Sequence, residues 1–157
     1  MTVRAISVAA LVSSILLAGA LGFQFLGGMR PCEMCLEQRF AHALVVTVSL
    51  SVMGLMHLGV RIPRAVVWLV PLLIAFAAFQ ALRHVGVETG VMSASCGFVL
   101  PPPGTDLDDL ATLLRTPPAP RCDVVAWKWL GVSMAGWNLL ISLGSAVTVV
   151  RMLGRRT

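Results

Sequence analysis

Four long apolar runs separated by polar connections organise this chain. They extend from about Ala5 to Leu26, Phe40 to Leu58, Ala65 to Leu82 and Trp129 to Val150, and no Asp, Glu, Lys or Arg interrupts their interiors. Each approaches the roughly 20 residues that carry an α-helix across a bilayer. Gly54, Pro71, Gly136 and Gly144 fall inside these runs. They are tolerable there, because lipid offers the backbone few alternatives to a helix. The pattern predicts an all-α membrane protein, a four-transmembrane-helix bundle forming one integral domain over residues 1–157. Arg4, the apolar stretch after it and Ala18-Gly19-Ala20 also resemble a cleavable signal peptide. The run continues apolar to Leu26, longer than a signal core needs, so it is read as the first span.

Composition supports lipid as the solvent. The chain is 57% hydrophobic and 12% charged, where a soluble domain carries about 25% charged residues. The net charge of +5 does not point to nucleic acid, since the arginines sit at the ends of apolar runs and form no basic stripe. Arg4, Arg61, Arg64, Arg151, Arg155 and Arg156 crowd into connections without any acid. All seven acidic residues lie in the other two connections, about 27–39 and 83–128, where the remaining basic residues are spread thinly. This density places both termini in the cytoplasm and the two acid-containing loops outside.

All four cysteines then face the exterior, a compartment that permits disulfides. Cys32-Glu33-Met34-Cys35 is a close-spaced pair suited to redox exchange. It is a poor staple, because so short a loop has little unfolded-state freedom to remove. Gly27, Gly28 and Pro31 end the first helix. Cys35 is expected near the start of the second, where unpaired N–H groups favour a thiolate. Arg39, four residues on, shares its face and lowers its pKa further. The second outer loop holds Cys96, Pro101-Pro102-Pro103-Gly104, Pro117-Pro118-Ala119-Pro120 and Cys122. Between the stiff proline pieces, Leu107, Leu110, Ala111 and Leu114 recur at helical spacing after Thr105, predicting a short amphipathic helix on the membrane surface or on the bundle top. A Cys96–Cys122 bridge would close a long loop, and spacing leaves open whether it is a staple or a redox pair.

Rival chemistries fit less well. A four-thiolate zinc site usually shows two close-spaced pairs, and only one is present, so no metal is assigned. Covalent haem attachment needs a histidine where Leu36 stands. His42 is read as satisfied by a neighbour, His84 as able to approach either outer loop, and Met134 as packing; whether any of them lines a cofactor site stays open. Gln24, Gln80 and Asn138 are read as interhelical hydrogen-bonding groups. Trp127, Trp129 and Trp137 fit one interfacial belt and Trp68 the other. An exterior dithiol must pass its electrons on, and nothing here binds flavin or haem. A lipid-soluble quinone meeting Cys35 and Arg39 at the membrane edge is the economical acceptor, with arginine stabilising charge on a quinone oxygen.

These motifs match a known family. Pro31-Cys32-Glu33-Met34-Cys35-Leu36-Glu37-Gln38-Arg39, Ser95-Cys96-Gly97-Phe98, and Cys122 followed by Trp129-Leu130-Gly131-Val132-Ser133-Met134 resemble the DsbB family over nearly the whole chain. Ala135-Gly136 departs from it, where many relatives carry a proline after the methionine. The resemblance implies a multi-pass protein of the bacterial inner membrane with its cysteines in the periplasm. It implies a thiol:quinone oxidoreductase that reoxidises a DsbA-like thioredoxin-fold partner and delivers electrons to ubiquinone or menaquinone. Cys96–Cys122 would receive the electrons, with Cys96 forming the mixed disulfide; Cys122 would exchange with Cys32; Cys35 would lie against the quinone and Arg39 would bind it. A vitamin K epoxide reductase-like protein shares the four-helix theme, but its close-spaced pair is expected late in the chain, the reverse of the order here. A membrane scaffold with static disulfides is the non-enzymatic alternative.

Overall fold

The computed structural model describes residues 2–93 and 120–155. Cys96, both proline-rich pieces and the amphipathic helix expected between them lie outside the described residues. Among the described residues, four helices long and apolar enough to cross a membrane make up the bundle: α1 Thr2–Phe25, α2 Glu33–His57, α3 Arg64–Glu88 and α4 Met134–Gly154. A two-stranded hairpin, β1 Lys128–Trp129 and β2 Val132–Ser133, leads into α4.

The three boundaries that depart furthest from the apolar runs are all at the end that carries the cysteines. α2 begins at Glu33 instead of near Phe40, so most of the connection expected over 27–39 is helical. Charged residues conceal this start, and a cap creates it. Cys32 holds an extended backbone (φ −78°, ψ 172°) and its sulfur accepts the Cys35 N–H over 3.3 Å, satisfying one of the donors a helix N-terminus leaves open. α3 runs past Leu82 through Arg83 and His84 to Glu88, shortening the expected 83–128 loop. Trp129 to Ser133 form the hairpin instead of the first turn of the last span. Leu130 (φ 52°) and Gly131 (φ 80°) sit between the paired strands, and two positive φ values in a two-residue loop are what a type I′ turn requires. Ser133 then caps α4 by accepting the Gly136 N–H over 3.1 Å. At Gly136 a Cβ would lie 2.6 Å from Val132 Cγ1, so glycine lets the hairpin fold back on the helix.

The helices close into a ring in which α1 and α3 each pack against α2 and α4. Ala5, Ala9, Ala41, Ala77 and Ala81 are buried while Leu11, Ile15, Leu72 and Phe79 are exposed. Small residues inside and bulky apolar ones outside suit a bundle whose surround is lipid. One end is packed by Ile6, Val52 and Val67, with Leu153 against them. Arg4, Arg61 and Arg151 therefore gather at that end. The opposite end holds a separate buried cluster of Cys32, Met34, Val87 and Cys122, with Cys35 packed against it.

Candidate functional site

The site is built where α2 starts, α3 ends and the segment before the hairpin crosses over them. Capping places Cys32 at the N-terminus of α2 and leaves Cys35 in its first turn, among unpaired N–H groups and the positive end of the helix dipole. Both thiols are free. Their sulfurs are 2.9 Å apart, with the Cys32 thiol donating to Cys35, the arrangement that stabilises negative charge on the acceptor sulfur. That donation, together with burial and the adjacent Cys35 sulfur, pushes the Cys32 thiol far above the ordinary thiol range. Cys122 is 1% exposed and disulfide-bonded, and it packs into the same cluster as Cys32. The structure therefore brings a disulfide sulfur and a close-spaced dithiol together. Cys96, to which the resemblance assigns the bridge, lies outside the described residues.

His84 reaches this cluster from α3. Its Nε2 lies 3.8 Å from Cys32 Sγ and 3.9 Å from Glu88 Oε1. The other Glu88 oxygen accepts from the Ser133 hydroxyl, tying the end of α3 to the cap of α4. His84 Nδ1 meets the Gln38 carboxamide at 2.7 Å, Gln38 Oε1 accepts from Asn138 Nδ2 at 2.6 Å, and Asn138 Oδ1 lies 2.9 Å from His42 Nε2. Ser142 donates to Asn138 Oδ1 over 3.2 Å, and His42 Nδ1 ends the chain 3.2 Å from Ser13 Oγ. This continuous line of side chains crosses all four helices, and its Gln38, His42, His84, Ser13 and Ser142 are buried. It satisfies His42, as the sequence suggested, and gives Asn138 its interhelical role. Gln24 and Gln80 have such roles too: Gln24 accepts from Arg39, and Gln80 donates to Glu37 over 2.8 Å. Arg83 bridges Gln80 and Glu37 at the half-exposed rim.

Beside the thiols a cavity of about 480 Å³ opens between α1, α2, α4, the end of α3 and the segment before the hairpin. Its walls are mostly apolar, with Ile15, Leu16, Phe23 and Trp127 among them; the Phe23 and Trp127 rings pack 5.1 Å apart. Cys32, Cys35 and Arg39 line it, as do His42, His84 and Met134. Arg39 shares this wall with Cys35 and is anchored to α1. Its guanidinium donates to Gln24 and, over 2.9 Å, to the Ala20 carbonyl of α1. A mostly apolar cavity with a few convergent polar groups is the usual form of a small-molecule site.

Sequence reasoning passed over Glu88, Gln38, Ser13 and Ser142. Gln38 stood inside the most specific motif, and the two serines stood inside otherwise apolar runs. Glu88 carried no local signal.

The residues 3–152 match the family model described as "Disulfide bond formation protein DsbB". The chain belongs to the DsbB family. Curated relatives named "Disulfide bond formation protein B" match along most of their length. One from Aromatoleum aromaticum is 31% identical over 155 residues, covering 88% of this chain and 87% of the relative. One from Burkholderia pseudomallei is 31% identical over 159 residues, covering 97% and 92%. One from a Polaromonas species is 29% identical over 169 residues, covering 98% and 94%. No solved structure gives a significant match. As a DsbB family member the chain is a disulfide bond formation protein, and its four helices fit a multi-pass membrane protein.

Proposed function

We propose that this protein is a thiol:quinone oxidoreductase of the bacterial inner membrane. It reoxidises a DsbA-like, thioredoxin-fold thiol oxidase and passes the electrons to ubiquinone or menaquinone. Both termini are cytoplasmic and all four cysteines periplasmic. The observation that carries the reading is the meeting of disulfide-bonded Cys122 with the free Cys32–Cys35 pair in one buried cluster, against an apolar cavity that Arg39 also lines.

The partner's dithiol attacks the Cys122 disulfide, becomes oxidised and leaves two thiols behind. Once the close-spaced pair has been oxidised to a disulfide by the acceptor, those two electrons reach it by thiol–disulfide exchange: Cys122 attacks Cys32, the Cys32–Cys35 bond breaks, the first bridge re-forms and Cys32 and Cys35 are left reduced as the structure holds them. The Cys32 thiol donates to the Cys35 sulfur, and both cysteines line the cavity. The cavity fits a flat apolar ring with carbonyl oxygens, and Arg39 has N–H donors beyond the two it spends on Gln24 and Ala20. A bound quinone supplies the acceptor for two electrons and two protons. Arg39 holds positive charge where an oxygen gains electron density, the apolar wall excludes water, and Gln24 and Ala20 keep the guanidinium from swinging out.

The test uses detergent-purified protein mixed with a reduced thioredoxin-fold partner and a quinone analogue, with quinone absorbance followed in time. Absorbance is expected to fall at a rate proportional to enzyme and to stop in Cys35→Ser. No quinone consumption, or consumption that survives Cys35→Ser, overturns the reading.

A further inference from the structure

The spacing of the four cysteines argues against a zinc site made of thiolates alone, but the fold adds ligands that spacing cannot show. Cys32 Sγ, Cys35 Sγ and a ring nitrogen of His84 lie within 4.8 Å of one another, two of the three residues buried. Glu88 Oε1 stands 3.9 Å from the same Nε2. We infer that the reduced Cys32–Cys35 pair and His84 form a binding site for a zinc ion, with the fourth position facing the cavity that all three residues line.

Two thiolates and one imidazole are a recognised donor set for Zn²⁺, and soft sulfur ligands select it over magnesium or calcium. Zinc–sulfur and zinc–nitrogen bonds of about 2.3 and 2.0–2.1 Å put tetrahedral ligands roughly 3.5–3.8 Å apart. Cys32 Sγ to His84 Nε2, at 3.8 Å, already meets that spacing. The two sulfurs, at 2.9 Å, have to part by ~0.9 Å, which a turn of the half-buried Cys35 side chain provides. Charge also fits: one dication and two thiolates make a neutral unit in a buried place.

A partner that can orient the imidazole is present. A zinc-bound imidazole is held through its other nitrogen, and His84 Nδ1 already faces the Gln38 carboxamide at 2.7 Å. Coordination through Nε2 puts the ring proton on Nδ1, so Gln38 must present its oxygen and Asn138 must turn with it. The line to His42 and Ser13 is satisfied in either sense, because each carboxamide offers a donor and an acceptor and each histidine can exchange tautomer.

Binding moves no electrons: two thiols release two protons to solvent and the ion takes two thiolates. The consequence is a reversible block, since sulfurs bound to zinc neither close a disulfide nor attack one. The inference rests on the pair being reduced and packed against His84, and does not require the quinone reading.

The test uses a Cys96→Ser/Cys122→Ser double variant in detergent, so that no other thiol competes, reduced with a phosphine and titrated with Zn²⁺. One zinc per chain is expected, with X-ray absorption showing two sulfurs near 2.3 Å and an imidazole nitrogen near 2.0–2.1 Å. The imidazole signal should vanish, and affinity fall more than about tenfold, on His84→Ala. Zinc should not bind once Cys32 and Cys35 are oxidised to a disulfide. A spectrum of two sulfurs with oxygens only, zinc retained by the oxidised pair, or unchanged affinity in His84→Ala overturns the site. Should His84→Ala not fold, the unsubstituted spectrum and the oxidised control still decide. In the full chain, added zinc should stop quinone consumption and a chelator restore it; absence of consumption before any zinc is added counts against the proposed function instead.

Discussion

Cys32 and His84 stand 52 residues apart in the chain, and their Sγ and Nε2 atoms lie 3.8 Å apart in the fold. This contact joins the cap of α2 to the outer turn of α3 and puts an imidazole in the path of any thiol chemistry. The other end of the same imidazole is locked into the polar line that crosses the bundle. Chemistry at the thiols and packing of the four helices are thus not separable at this point.

Replacing either sulfur of the close-spaced pair gives the first discriminating experiment. Cys32→Ser and Cys35→Ser should each stop disulfide formation in exported substrates, scored by their free thiols in cells. A scaffold with static disulfides would leave those substrates oxidised in both variants.

Burial of Cys122 with Cys32 makes a connectivity prediction. In a Cys35→Ser/Cys96→Ser double variant the two remaining sulfurs lie in one packed cluster. They should be found joined as an intramolecular bridge by non-reducing peptide mass mapping. Two persistently free thiols under aerobic purification would mean that the cluster does not support exchange.

Arg39 is held by α1 and turned along the cavity wall. Arg39→Ala removes a charged hydrogen-bonding group worth roughly 1.5–3 kcal/mol, so the apparent KM for quinone should rise by about 10- to 100-fold, with assembly little disturbed. Gln24→Ala, which frees the guanidinium without removing it, should give a smaller rise. An unchanged quinone dependence in Arg39→Ala would remove it from the acceptor site.

Asn138 joins three partners on two helices: Gln38 and His42 of α2 and Ser142 of its own helix, with His42 continuing to Ser13 of α1. Asn138→Leu strips these bonds while filling the volume. Interhelical hydrogen bonds in membranes average ~0.6 kcal/mol and reach ~1.7, so unfolding free energy in mixed micelles should fall by about 1–2 kcal/mol. A neutral result would show that the polar line is not structural.

Ser133 caps α4 and donates to Glu88 at once. Ser133→Ala should cost about 1–2 kcal/mol of stability through the lost cap. Ser133→Asp keeps a capping oxygen but faces Glu88 with a like charge, so it should be the worse of the two in thermal unfolding. Equal melting temperatures would argue that the Glu88 contact contributes nothing.

By itself the chain's pattern determined four spans, the end at which the thiols gather and the motif around Cys32 and Cys35, because a bilayer imposes length and polarity on any segment that crosses it. Local chemistry was legible wherever it depended on neighbours in sequence, as with Cys35 and Arg39 one helical turn apart. Where α2 and α4 begin was not legible from hydropathy, since a cysteine cap and a two-residue turn set those starts and neither changes the apolar count. The meeting of His84 and Glu88 with the thiols, the closure of Cys122 onto Cys32, the anchoring of Arg39 on Ala20 and the line from His84 to Ser13 were decided only by tertiary structure. Each depends on the rotation and depth at which one helix packs on another. Side-chain volume and hydrogen-bond closure across the whole bundle set those two quantities, and no single run of residues carries that information.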